Sequence, residues 1–372
     1  MKRFICFSDA LKRLSVVTLL LSSSLVGHVM AYNYSSIEQQ VNAAIEENTA
    51  WSGPMTGPKI SSKKQLIFVA SDLRNDGVNS IVKGMTDAIS NLDWNLRLLD
   101  GNGSKVRQAA ALSRAIMLKP DGIVLGGIDA KYHEQTLQAA QKLGITVIGW
   151  HAANTTKVEP ELGLFTNITT DAQKVGEIAA SLAIVDAKEH AKVVIFTDSN
   201  YCIAMLKAYS MADAIEQCVQ CELLSIEDIP LDNIADEMPD TIGRLLQQYP
   251  RQITHFLVIN DLYIDFAIPS LIAPGQSHHS LPKSISAGDG SFEAYQRIRN
   301  QSFQLATVPE PLFMQGWQIV DEFNRAFHNM PPSQFETPIH LVVHDNIRAI
   351  DRKIGVYDPQ NHYREAYMRI WR

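Results

Sequence analysis

The stretch from Gln65 to Ile89, QLIFVASDLRNDGVNSIVKGMTDAI, constrains the fold more than any other part of the chain. Its opening run, Leu66 to Ala70, is short and continuously apolar, as in a strand of a parallel sheet buried on both faces. A polar loop, SDLRNDG, follows it. Val78, Ile81, Val82, Met85 and Ile89 then recur at helical spacing, so the loop leads into an amphipathic helix with one face on the sheet. In open sheets built from such units, ligands sit beyond the carboxyl ends of the strands. Asp72, Asn75 and Asp76 are therefore expected to point into a crevice. Capping of the helix ahead of Val78 is the competing role for the same residues.

The unit repeats along the chain. Further strands are expected at Asn95 to Leu99, Gly122 to Gly127, Ile145 to Trp150 and Leu164 to Ile168, with helices such as Lys105 to Leu118 and Tyr132 to Leu143 between them. The alternation resumes with strands at Lys192 to Thr197, Cys221 to Ile226, His255 to Asn260, Ser284 to Gly288, Phe303 to Val308 and Ile339 to Val343. Strand–helix alternation specifies an α/β fold of doubly wound parallel sheets. About ten or eleven strands would strain one sheet, so two lobes are expected.

The segment ahead of this core has a different character. Lys2, Arg3, Lys12 and Arg13 precede an uncharged, largely apolar stretch from Leu14 to Met30, and Val29-Met30-Ala31 fits a small-x-small cleavage pattern. Residues 1–31 read as a secretory signal peptide; a membrane anchor is the alternative, and the run is marginal for that. Losing four basic residues and Asp9 takes the formal charge from −7 to −10. Nucleic acid and anionic membrane surfaces are poor partners for so acidic a chain. Residues 32–64 form a leader: Ile37, Val41 and Ile45 suit a short helix, and WSGPMTGP (Trp51 to Pro58) is turn-rich.

An exported chain can pair its cysteines. Cys202 and Cys218 bracket a helix of about 16 residues, roughly 24 Å long at about 1.5 Å per residue, so they cannot bond. Cys218 with Cys221 is the feasible disulfide. A redox role for CVQC is disfavoured because it ends a helix rather than beginning one. The chain has no GxSxG elbow, no HExxH and no phosphate loop, and His278-His279 has no partner at metal spacing. Neither enzyme activity nor a cofactor or metal is expected.

Six segments, VASDLRND in the first unit, KPDGIVLGG (Lys119 to Gly127), GITVIGWH (Gly144 to His151), VINDLYID (Val258 to Asp265), SAGDGS (Ser286 to Ser291) and ATVPEP (Ala306 to Pro311), fall in one order and spacing. In this the chain, over roughly residues 65 to 350, resembles the type I periplasmic substrate-binding proteins, the ribose- and galactose-binding group that serves ABC transporters. The resemblance implies a clamshell of two lobes joined by hinge strands. Crossings are expected near Asn167 to Thr170, Val308 to Pro311 and Phe335 to Pro338. Residues 65–167 with 311–334 would form the N-terminal lobe and 168–310 with 335–352 the C-terminal lobe, followed by an extension, 353–372, whose aromatic residues suit packing on a lobe or meeting a partner.

The resemblance also nominates a site. Asn75 matches a hydroxyl-binding amide, Asn260 the amide of an Asn-Asp pair whose acid caps the next helix, and Asp289 a recurrent carboxylate contact, although Asp-Gly is also a common turn pair. Glu310, fixed between Pro309 and Pro311, stands where the family has a hinge glutamine, and His151 where it has Asp followed by Arg. Two stacking phenylalanines are replaced by Gly77 and Val78, and a second-lobe arginine falls near Met205, with Lys207 close by. Trp150, Tyr201 or Tyr263 is left to offer an aromatic face. A ligand other than ribose is implied, sugar-like and polar, since carboxylates and amides match hydroxyls that donate and accept. The expected role is that of a monomeric periplasmic protein delivering its ligand to an ABC permease; presenting it to a chemoreceptor or sensor kinase is the rival.

Overall fold

A computed structural model describes residues 33–47, 49–155, 160–272, 281–350 and 355–372. The expected signal peptide, residues 1–31, and His278-His279 lie outside the described residues.

Helix α1 (Tyr34–Ile45) precedes β1 (Lys64–Ala70), α2 (Asp76–Ile89), β2 (Trp94–Asp100), α3 (Lys105–Met117), β3 (Gly122–Gly126), α4 (Glu134–Lys142), β4 (Thr146–Trp150) and β5 (Thr166–Ile168). These strands form one parallel sheet in the order β2-β1-β3-β4-β5. Next come α5 (Ala172–Asp186), β6 (Lys192–Thr197), α6 (Cys202–Gln217), β7 (Glu222–Asp228), α7 (Ile234–Gln248), β8 (His255–Val258), α8 (Leu262–Leu271), β9 (Lys283–Ser286), α9 (Phe292–Arg299) and β10 (Gln304–Thr307). The chain closes with α10 (Leu312–Phe327), β11 (Val342–Val343) and α11 (Tyr363–Ile370). The second sheet runs β11-β10-β9-β8-β6-β7, parallel except for the antiparallel edge pair β10–β11.

Leaving β11 aside, the two sheets share one strand order, with a switch point between β1 and β3 in the first and between β6 and β8 in the second. Each crevice at such a point collects the loops that follow its strands. Alternation along the strands divides the first core in two. Leu66, Phe68, Val124, Ile148 and Trp150 face α2, α10 and α11, whereas Ile67, Val69, Ile123, Leu125 and Val147 pack with Leu112 and Leu137. The second sheet is buried among Val193 to Phe196, Phe256 to Val258, Ala179, Met211 and Ile242.

Strand and helix bounds depart little from the sequence pattern, and each larger departure has a local cause. The expected helix from Tyr132 begins as a 3-10 turn over Ala130–His133, because the Asp129 side chain accepts from Lys131 N. The strand expected over Ile339 to Val343 shrinks to Val342–Val343, since Leu341 N donates at 2.7 Å to Ala44 O of the leader instead of a sheet neighbour.

Leader and C-terminal segment both span the two sheets. Val41 and Ala44 of α1 join the second core, while Trp51 packs on Tyr367 and Phe335, and Trp94 Nε1 donates to Ser61 O at 2.7 Å. In the opposite direction, Tyr357 N donates to Tyr295 Oη at 3.2 Å, and Tyr363, Tyr367 and Trp371 then pack around Trp317 on the first sheet. Cys218 and Cys221 are disulfide-bonded, with Cα atoms 5.2 Å apart, in the turn between α6 and β7.

Helices α2 and α10 meet backbone to backbone. A Cβ on Gly84 would lie 2.6 Å from Phe313 O, and one on Gly316 would lie 2.5 Å from Met85 N. Gly84→Ala is expected to lower stability by about 1–3 kcal/mol through this overpacking. Chemical denaturation of the variant checks it, and wild-type stability would refute the tight crossing.

His340 is buried against Tyr357, with ring centroids 4.6 Å apart, beside the leader backbone at Ala44 and Glu46. Burial pushes its pKa down from 6.5 to about 4. The native state then binds fewer protons than the unfolded chain, so this contribution is complete above about pH 6.5 and is lost as pH falls toward 4. His340→Phe is expected to flatten the decline in melting temperature over that window. Parallel pH profiles for the two proteins would count against it.

Candidate functional site

Three passages between the sheets come together at one carboxylate. Glu310 follows β10 where the chain leaves the second sheet, Thr170 follows β5 where it leaves the first, and Thr337 lies on the return from α10 to β11. Glu310 Oε2 accepts from Thr170 N at 3.2 Å, Thr170 Oγ1 at 3.0 Å and Gln315 Nε2 at 2.8 Å. Thr337 Oγ1 lies 3.0 Å from Thr170 Oγ1 and accepts from Gln315 Nε2 at 3.3 Å. Glu310 is 1% exposed, so each of these bonds replaces a water that the carboxylate has lost.

The other carboxylate oxygen faces the cleft. Glu310 Oε1 lies 2.9 Å from His151 Nε2 and 3.8 Å from Lys207 Nζ, both on nearly buried side chains. Burial, the largest influence, would raise the Glu310 pKa, but the His151 ring, the Lys207 ammonium and the Gln315 amide together hold it well below the usual carboxylate range.

His151 is the residue after β4, and its backbone is left-handed, with φ 51°. Outside glycine that region is sparsely used, and histidine is among the residues that tolerate it. The ring stacks on Trp150 with centroids 4.1 Å apart, and Trp150 Nε1 donates to Gln315 Oε1 at 2.8 Å. Trp150 is 2% exposed, so in this closed form its face supports His151. Tyr263 is wholly buried, with its hydroxyl on Ile229 O, and is a packing residue.

From the second sheet, Asp289 reaches across to the first. A Cβ on Gly77 would lie 2.5 Å from Asp289 Oδ2, so the carboxylate abuts the first turn of α2, where free N–H groups favour an anion. The phenylalanine expected there from the family pattern would collide with it. Asn260 Nδ2 donates to the same oxygen at 3.3 Å. Burial pushes the Asp289 pKa up, Lys207 and His151 pull it down, and Glu310 and Asp261 push it up further.

The Asn-Asp pair divides its work differently from the family expectation. Asn260 Oδ1 accepts from Leu262 N at 3.0 Å, whereas Asp261 makes no capping bond and accepts from Gly290 N at 3.0 Å and Gln304 Nε2 at 2.7 Å. Asp261 thereby pins the loop that carries Asp289. In the first polar loop, Asn75 Oδ1 caps α2 by accepting from Val78 N at 3.1 Å. Asp72 pairs with Arg74 at 2.6 Å, which holds its carboxyl below the ordinary value, and Asp76 is exposed. At the rim, Lys105 Nζ donates to Asn200 Oδ1 at 3.1 Å, a further contact across the closed cleft.

The structure thus brings His151, Asn260, Asp289 and Glu310 into one cluster, with Asn75 adjacent and Asp72 and Asp76 toward its edge. Lys207, Gln315, Thr170 and Thr337 complete it without having been singled out as site residues. Glu310→Ala would strand Lys207, His151 and three donors in a buried site and is expected to cost about 3–5 kcal/mol. Urea denaturation measures this, with Glu310→Gln losing much less; an Ala variant as stable as wild type would remove Glu310 from its structural role.

The comparisons with known proteins agree with this architecture. Residues 66–326 match the family described as periplasmic binding protein domain. A search of curated proteins gives no match. Among solved structures, an ABC transporter solute-binding protein from Agrobacterium vitis with bound allitol superposes with a TM-score of 0.67 at 19% identity, over 78% of this chain and 99% of that one. A glucose-galactose binding protein from Geobacillus stearothermophilus gives 0.67 at 17%, over 77% and 99%. A solute-binding protein from Bacillus halodurans with bound myo-inositol gives 0.67 at 16%, over 78% and 97%. With a family match over most of its length and this two-sheet architecture, the chain belongs to the periplasmic binding proteins of type I fold.

Proposed function

We propose that this protein is an exported solute-binding protein that captures a small polyhydroxylated molecule, a sugar, sugar derivative or polyol, and hands it to an ABC-type permease. The observation that carries this reading is the cluster of buried Glu310 and Lys207 with half-buried Asp289, Asn260 and His151, built from both sheets at their junction. Carboxylates, an amide, an imidazole and an ammonium in a largely buried cleft match hydroxyls, which donate and accept at once. The roles of similar structures, which hold allitol and myo-inositol as ABC transporter components, favour delivery to a permease over presentation to a sensor.

Function follows from the joint. A ligand bridging Asp289 on one side and His151 on the other binds the closed arrangement better than an open one, and that difference shifts the population toward closure. Closure turns occupancy into a shape that a membrane partner can read. No bond in the ligand need break, so the reading is of a binding protein and not an enzyme.

A thermal-shift screen of residues 32–372 against sugars, sugar acids, polyols, inositols and amino acids tests the proposal. Binding to the native state alone stabilises it by about 2.7 kcal/mol at a hundredfold excess over Kd. A polyhydroxylated compound is expected to raise the melting temperature, with the rise abolished in Asp289→Ala. A shift confined to amino acids, or one that survives in Asp289→Ala, would overturn it.

A further inference from the structure

We infer that His151, Asp289 and Glu310 form a divalent transition-metal site at the floor of the cleft, whose remaining coordination positions take vicinal oxygens of a polyhydroxylated ligand. The site stands on its own geometry; only the identity of the ligand's oxygens rests on the solute-binding reading.

The donor atoms are already gathered. One imidazole nitrogen and one oxygen from each carboxylate all lie within 4.8 Å of one another. Metal–ligand bonds of about 2.0–2.2 Å at tetrahedral or octahedral angles put neighbouring donors about 2.8–3.6 Å apart. The 2.9 Å between His151 Nε2 and Glu310 Oε1 is close to that spacing.

These two atoms have no partner of good geometry, only each other. Among the described residues, His151 Nε2 and Glu310 Oε1 are buried and face each other at 2.9 Å without a well-aligned hydrogen bond, although Glu310 Oε2, on the same carboxylate, has three donors. Buried polar atoms left poorly satisfied are costly, and two of them at one point can be satisfied together by a shared partner. The supports resemble those that orient metal ligands, where outer groups fix ring and carboxylate. Trp150 stacks on the imidazole, Gln315 and Thr170 hold Glu310, Asn260 donates to Asp289, and Asp261 fixes the Asp289 loop through Gly290 N.

Donor chemistry selects the ion. A set of one nitrogen and two carboxylates suits zinc, manganese, iron or nickel better than calcium, which takes oxygen ligands alone. Three protein donors leave positions open for further oxygens, as in metal sites that act on a bound molecule. Lys207 is the built-in competitor: its ammonium, 3.8 Å from Glu310 Oε1, contends for the same oxygen. Its removal should therefore favour the metal, the reverse of what loss of a ligand does.

The test uses the full mature chain freed of metal by a chelator, then titrated with zinc by calorimetry and with cobalt(II) by visible absorption. One equivalent is expected, with cobalt bands of a nitrogen–oxygen site. His151→Asn, which keeps a residue tolerant of the left-handed backbone, and Asp289→Asn are each expected to weaken affinity by at least about tenfold. Lys207→Met is expected to tighten it. Failure of the folded wild type to bind one equivalent, or binding unchanged in His151→Asn, overturns the site. The polyol and sugar screen is repeated with and without zinc. A ligand shift that ignores metal in a chain that takes up none overturns this inference and leaves the solute-binding reading standing; one equivalent of metal with no polyol shift in either condition supports the metal site and fails that reading.

Discussion

The carboxylate of Glu310, buried where the chain passes three times between its sheets, is the interaction on which the rest of the molecule depends. Its backbone is set by Pro309 and Pro311, and one oxygen is tied to Thr170 and Gln315, with Thr337 alongside. A neutral glutamine could make part of this network. It could not balance the Lys207 ammonium, which with His151 faces the second oxygen. Charge at this point therefore puts the joint inside the proposed ligand site.

The two terminal segments reinforce that joint from outside. The leader runs from α5 to the first sheet through Trp51 and Ser61, and the C-terminal segment runs back through Tyr357 to the aromatic layer of Trp317, Tyr367 and Trp371. Trp371 Nε1 donates to the buried Asp321, and Ile60 N donates to Trp371 O, so leader and C-terminus are fastened to each other as well. Within the described residues no helix is long and apolar enough to cross a membrane.

Much of the fold was legible because the two periodicities are unambiguous. Runs such as Val193 to Phe196 are too short for a helix and rich in β-branched residues, and the alternation of units fixes the class before any pairing is known. The loops after strands were equally visible, which is why His151, Asn260, Asp289 and Glu310, which the structure gathers into one cluster, could be nominated together as candidates. Lys207 was harder to assign. On α6 it looks like a residue of a solvated face, and only docking of that helix at the cleft makes it a buried cation. Gln315 was hidden for a related reason: α10 carries the polar residues of a surface helix, yet nearly every position from Leu312 to Arg325 is buried between α2, the sheet and α11. The pairing of Asp261 with Gly290 joins two loops distant in sequence, and local reasoning could offer only a helix cap for that acid.

The central claim, that the cluster around Glu310 holds a polyhydroxylated ligand inside the closed cleft, is tested most directly by native mass spectrometry of the chain recovered from a bacterial periplasm. The account predicts that the folded wild-type protein carries a small adduct with the composition of a sugar or polyol, and that Glu310→Gln, equally folded by circular dichroism, has lost it. An adduct without hydroxyl groups, or the same adduct at the same occupancy in Glu310→Gln, would contradict the account.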